Sequence, residues 1–329
     1  MRSVLWALAL AILLSPFFFV LYRLEVFSTL PRDDYAPYLL WLNGDASGGI
    51  PDSPYAYRLL SVALAWPFLH LLPAIPLSNI PGDLPSGFLR ATAALSALSY
   101  LGTLGTALLT VRLAQREAGL DLPASLLAGA LAWLLCWQTQ ITAIDPVALM
   151  AITGGLCLLR RPLWFSALML LSIGLNEKIA LTLAIWLALR CLASTEDRRM
   201  LWRPALAACL AVLGYGLLVL LLRRGGNEYQ MQPASFPITI AENLRAYLST
   251  RGLLLNVLPT AMLAVIGWLG YRPRPGLFAR IDMLVIPAMM AVALVLTHLF
   301  QAGRLVMHAA PIFVVPAVLA LTHRPVRAA

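Results

Sequence analysis

Two adjacent carboxylates, Asp33 and Asp34, follow the first apolar stretch in a segment that reads LEVFSTLPRDDYAPYLLWLNGDASGGIPDSPYAYRLL. Acids this close raise the pKa of one of the pair, which suits a general base near neutral pH and leaves the other to anchor a metal ion or a hydrogen bond. A solvated turn with helix-capping aspartates would leave the same trace. Tyr35, Tyr38, Trp41, Tyr55 and Tyr57 surround the acids. They fit an interfacial aromatic belt, or faces on which sugars stack.

Further charges interrupt apolar sequence. Asp145 opens the run IDPVALM with Pro146 behind it, the pattern of a helix N-cap or of a site acid at a helix start. Glu177 and Lys178 stand between LMLLSIGL and IALTLAIW, and Lys178 is the only lysine of the chain. A charge at membrane depth costs roughly 2.5 to 3.5 kcal/mol unless it is paired or solvated, so a functional role is the default for these two. The alternative is a hairpin turn in which they neutralise each other. Arg304 has Gly303 before it and His308 one turn after it in QAGRLVMHAAP. Its guanidinium fork could hold phosphate oxygens, with glycine allowing close approach, or it could snorkel at an interface. His70, His298 and His308 have no metal-ligand spacing, and the four cysteines sit in apolar runs without a CxxC pair, as reduced core residues do.

The elements that must carry these residues follow from composition. Apolar residues make up 60% of the 329 and charged ones 12%, against about 25% charged in a soluble domain. Stretches of roughly 20 apolar residues recur and can cross a hydrocarbon core only as helices. The expectation is an all-α integral membrane protein in which residues 1–329 form a single polytopic domain of about ten transmembrane helices. The spans fall near 3–22, 89–113, 122–142, 203–222, 252–271, 281–300 and 304–322, with shorter ones near 145–160, 162–175 and 178–194. Residues 3–22 are read as a retained first helix. Prolines 67, 73 and 76 interrupt the apolar segment 58–78. If that segment does not cross, most of the 24 basic residues fall on the side of the N-terminus, as cytoplasmic loops require. Both termini are then cytoplasmic, and residues 23–88 and 223–251 are extracytoplasmic loops, the first with interfacial helices. The second is predicted to carry a short amphipathic helix from about Ile238 to Leu248, a candidate lid. Asp33, Asp34, Arg58, Asp145, Glu177, Lys178 and Arg304 share the outer face in this arrangement. The net charge of +9 is explained by topology and not by nucleic-acid binding.

Together these features resemble the glycosyltransferase C superfamily, polytopic enzymes that transfer a sugar from a polyprenyl-phosphate donor on the outer face of the membrane. The likeness is carried by the acidic pair after the first helix, by PYAYRLL with Arg58 at the close of the loop, by Asp145 in IDPVALM, and by the charged turn NEKIALTL. It covers most of the chain as a scattered pattern. The resemblance implies Asp33 or Asp34 as the catalytic base, Arg58, Lys178 and Arg304 as ligands of the donor phosphate, and Asp145 and Glu177 as groups that position the acceptor, orient those cations or help hold a divalent cation, Mg²⁺ or Mn²⁺. The partners it implies are a polyprenyl-phosphate-linked sugar, the lipid bilayer and a glycan, lipid or protein acceptor. Arg58 stands where many members carry a His or Pro motif, and the sizeable soluble domain of many relatives is not seen. Compact loops and arginine in place of lysine point to a bacterial inner membrane. Two other classes stay open: a glycan polymerase or ligase using a diphosphate-linked donor, and a non-catalytic transporter or scaffold.

Overall fold

The computed structural model describes residues 5–6, 8–9, 12–16, 36–44, 58–71, 86–136, 145–221, 236–269, 280–296 and 302–322. Nearly all of these are helical, and no strand occurs among them. The helices are α1 (Ala36–Leu42), α2 (Leu59–Leu71), α3 (Ser86–Glu117), α4 (Leu122–Cys136), α5 (Asp145–Leu158), α6 (Pro162–Leu175), α7 (Glu177–Ala193), α8 (Thr195–Leu221) and α9 (Phe236–Leu248). A short turn at Thr250–Gly252 and a π turn at Leu253–Val257 lead into α10 (Leu258–Leu269). A 3-10 turn at Arg280–Leu284 precedes α11 (Val285–Leu296), and α12 (Ala302–Met307) and α13 (Ala310–Thr322) close the order.

Polar residues set the helix starts. Asp121 Oδ1 accepts from Ala124 N–H at the head of α4, Asn176 Oδ1 from Lys178 N–H at the head of α7, and Ser194 Oγ from Asp197 N–H at the head of α8. Gly119, at φ +63°, turns the chain out of α3. Buried threonines within α3 do not break it, because Thr103, Thr106 and Thr110 donate to the carbonyls of Ser99, Gly102 and Thr106 at 2.9, 2.8 and 2.8 Å.

Small residues let α3 and α5 run side by side at backbone distance. A Cβ added at Gly102 would lie 2.7 Å from the Pro146 carbonyl carbon, and one at Gly105 would meet the Met150 side chain. This contact fixes the first turn of α5, where Asp145 stands. A small apolar cluster joins α1, α2, the first half of α3 and Val147, while the larger core runs through α3 to α13, with Tyr247 contributed by α9.

Among the described residues two helical stretches, Leu89–Glu117 in α3 and Thr195–Leu218 in α8, are long and apolar enough to cross a membrane. Seven further apolar helices are 10–17 residues long. Most of α3 is buried, whereas α8 leaves Leu206, Leu210, Leu213 and Leu217 exposed along one face. On α6, Leu163 is 85% and Leu170 70% exposed. Apolar surface of this extent marks contact with a membrane or another protein.

Several boundaries differ from the hydropathy pattern. The span expected over 304–322 breaks at His308 and Ala309, where i to i−3 bonds tighten the turn and Pro311 has no N–H to continue the α-helical ladder. α8 begins at Thr195, ahead of the expected 203, because its polar first turn is helical but not apolar. α9 starts at Phe236, close to the expected Ile238.

Candidate functional site

Arg58, Asp145, Glu177 and Lys178 come together although they belong to three separate helix starts. Arg58 precedes α2, and its carbonyl accepts from Ser61 N–H and Val62 N–H at 3.1 and 3.4 Å. Ser61 Oγ donates to the Leu175 carbonyl, tying the start of α2 to the end of α6. The Arg58 fork then closes on Glu177 through Nε to Oε2 at 2.9 Å and Nη2 to Oε1.

Beside this pair, Lys178 Nζ donates to Asp145 Oδ1 at 2.9 Å and Asn176 Nδ2 donates to the same oxygen at 3.3 Å. His308 Nε2, in the turn between α12 and α13, lies 3.6 Å from that atom. The Asp145 and His308 side chains are fully buried, while Lys178 is 12% and Glu177 24% exposed. The cluster is therefore reached from the Glu177–Lys178 side. The first turns of α5 and α7 also present the positive end of the helix dipole to their acids, Asp145 and Glu177.

This speaks against the alternative of a self-neutralising hairpin, since each member of the Glu177–Lys178 dipeptide pairs across a helix boundary and not with its neighbour. Successive residues on a helix point about 100° apart, so adjacent side chains reach different partners. Arg304 lies in α12, one turn before His308, and its side chain is outside the described residues. Asp33 and Asp34, most of the 23–88 loop and residues 223–235 are also outside them.

Sequence reasoning gave His308 no role, because a lone histidine in an apolar run carries no spacing signal. It also passed over a second buried network at the opposite end of α7. Arg190 donates to Asp282 through Nε at 2.7 Å and Nη2 at 2.9 Å, and to Asp197 through Nη1 at 3.2 Å. Trp186 Nε1 donates to Asp282 Oδ1 at 2.7 Å. Arg190 and Asp282 are 2% and 5% exposed. Lys178 and Arg190 are twelve residues apart on one helix, so the two networks stand about 18 Å apart along it. The signal for Asp282 was the same as for Asp145: an acid at the head of an apolar run, here RIDMLVIP.

The π turn supports α12. Asn256 is fully buried and its Oδ1 accepts from Gly303 N–H at 3.0 Å, next to Arg304 in sequence. Such turns open the helical ladder by one residue and present a side chain that a regular helix would turn away. Ahead of it, a Cβ on Gly252 would stand 1.7 Å from the Ala246 carbonyl oxygen. Asn256→Leu removes the acceptor of the buried Gly303 amide, which costs about 1–3 kcal/mol. Amide exchange at Gly303 is expected to speed up at least tenfold, and unchanged exchange would show that α12 is held by other contacts. The amphipathic helix α9 is docked on α11, with Asn243 Nδ2 donating to the Leu294 carbonyl at 2.8 Å. Burial pushes the pKa of its Tyr247 hydroxyl up to about 12.

Among the described residues no group of three or more His, Cys, Asp or Glu stands ready to hold a metal ion. Asp145 and Glu177 are each engaged by a cationic side chain, so this donor set does not fit a divalent cation. No family model, curated protein or solved structure matches the chain.

Proposed function

We propose that this chain is a ten-span membrane enzyme similar to the glycosyltransferase C superfamily. It moves a sugar from a polyprenyl-phosphate donor to a cell-envelope glycan, lipid or protein acceptor on the extracytoplasmic face of a bacterial inner membrane, with both termini cytoplasmic. The observation that carries this reading is the drawing together of Arg58, Asp145, Glu177, Lys178 and His308, from four places in the chain, inside an apolar helical bundle. Charges in such surroundings are retained where they handle charged substrates.

In this reading Arg58, Lys178 and Arg304 hold the donor phosphate, and Glu177 and Asp145 keep the first two oriented until it arrives. The acceptor hydroxyl attacks the anomeric carbon, its C–O bond forms as the bond from that carbon to phosphate oxygen breaks, and polyprenyl phosphate leaves with the electron pair. Asp33 or Asp34 takes the hydroxyl proton. Fixed cations in a water-poor site stabilise the charge that grows on the leaving phosphate. Ala36, two residues after Asp34, is buried in the same small cluster as Val62 of α2 and Val147 of α5, which supports acids working close to Arg58 and Asp145.

The test is sugar transfer in membrane vesicles carrying a panel of labelled polyprenyl-phosphate sugars and an envelope extract as acceptor. Changing both Asp33 and Asp34 to Asn is expected to lower transfer by about 10²–10⁴-fold. Unchanged transfer by a correctly inserted double variant removes the assignment. Competition by a diphosphate-linked donor, with none by the monophosphate, would favour a polymerase or ligase instead.

A further inference from the structure

Beside the Asn176 amide, a lysine and a histidine address one oxygen atom in the site. Lys178 Nζ donates to Asp145 Oδ1 at 2.9 Å, and His308 Nε2 stands 3.6 Å from that same atom. The backbone holds His308 there, since its N–H donates to Leu305 O at 3.1 Å and Ala309 N–H donates to Val306 O at 2.9 Å. With His308 neutral, the carboxylate serves Lys178. With His308 protonated, two cations share one carboxylate in surroundings where like charges repel strongly, and an added anion relieves the excess.

We infer that His308 is a positioning residue of the anion site: on taking a proton from solvent it takes over Asp145, and the released Lys178 ammonium turns to an incoming phosphodiester. The inference rests on reading the cluster as the donor-phosphate site, and adds a proton that enters with the anion.

The charged groups facing His308 are Asp145 of α5 and Lys178 of α7, with the Arg58–Glu177 pair next to them and Arg304 one turn earlier in the chain. Helices α4, α10, α11 and α13 contain no charged residue. On α3, Gly102 packs on Pro146, and the charges nearest to it in sequence, Arg90 and Arg112, are twelve and ten residues away, or about 18 and 15 Å along the helix. Anion binding should therefore take up a proton at His308, and strengthen as pH falls through its titration.

Because Lys178 is the only lysine, reductive methylation with ¹³C-formaldehyde gives one side-chain resonance besides that of the N-terminal amine, and Lys178→Arg identifies it. The labelled protein, in a phosphate-free maltoside detergent, is titrated with dibutyl phosphate, a phosphodiester that stays monoanionic throughout. Binding is expected to be at least about fivefold tighter near pH 5.5 than near pH 8. His308→Gln, or His308→Asn should the first not fold, is expected to bind equally at both, and Asp145→Asn to bind tightly at both. Equal affinity at the two pH values in the unaltered protein, or a pH difference that survives in a folded His308 variant, overturns the inference while leaving the donor site intact. If the phosphodiester moves the Lys178 resonance in no variant at either pH, the donor-site reading falls as well.

Discussion

Arg190→Met is expected to destabilise the folded chain by about 3–5 kcal/mol, because it leaves Asp282 ionised and buried without its counter-charge. Arg190 makes both forks of the contact to Asp282 and also reaches Asp197, so it binds the end of α7 to the turn before α11 and to the start of α8. The reciprocal change Asp282→Leu leaves the buried guanidinium with Asp197 as its remaining carboxylate partner. Combining the two removes both charges, and the double variant should recover much of the loss. Recovery stops short of full, since Trp186 Nε1–H is left without its acceptor, at about 1–3 kcal/mol. Thermal unfolding in detergent, followed by tryptophan fluorescence, reads all three. An Arg190→Met protein that melts with the parent would mean that the network has no net role in stability.

The second large effect should come from a residue that carries no charge. Gly102→Ala puts a methyl 2.7 Å from backbone atoms of Pro146 and Val147, and neither helix can yield by turning a side chain. Overpacking of this kind costs about 1–3 kcal/mol. Relief comes by moving the first turn of α5, which carries Asp145 away from Lys178 and His308. A displacement of about 1 Å at a reacting site can lower turnover 100-fold, and in the reaction proposed above transfer by Gly102→Ala is expected to fall by about that much. Gly216→Ala is the contrast, for a Cβ there meets nothing within 4 Å. It should stabilise by about 0.5–1 kcal/mol through helix propensity and leave transfer unchanged. Equal transfer by the two variants would separate the close approach of α3 and α5 from the placement of Asp145.

Four of the charges that pair around Asp145 and Glu177 were singled out by the sequence; how they pair was not legible, and Arg190 with Asp282 was passed over. Asp145, Glu177 and Lys178 stood out because each interrupts apolar residues, and a charge there needs a reason, whereas Arg58 stood out through the resemblance carried by PYAYRLL. Their partners could not be read, since pairing depends on how the starts of α2, α5 and α7 converge. That is set by contacts such as Gly102 on Pro146 and Ser61 on Leu175, which are ordinary residues at ordinary spacing. His308 and Asn256 carry no local pattern at all. The helices themselves were largely visible from hydropathy, but their ends follow polar caps and proline, which an apolar window does not weigh. Hence α8 starts early and the final apolar run is two helices, α12 and α13.

The length of α6 bears on how a lipid-borne substrate could arrive. Between Arg161 and Asn176 it has 14 residues and so measures about 21 Å, against a hydrocarbon thickness of about 30 Å. Its exposed Leu163, Trp164, Leu170 and Leu171 make that side apolar apart from Ser166. In the bilayer proposed here, lipids along α6 must compress, drawing their headgroups inward beside the turn that holds Glu177 and Lys178. A carrier phosphate travelling at headgroup level would then sink toward the charged cluster through a dimple in the leaflet.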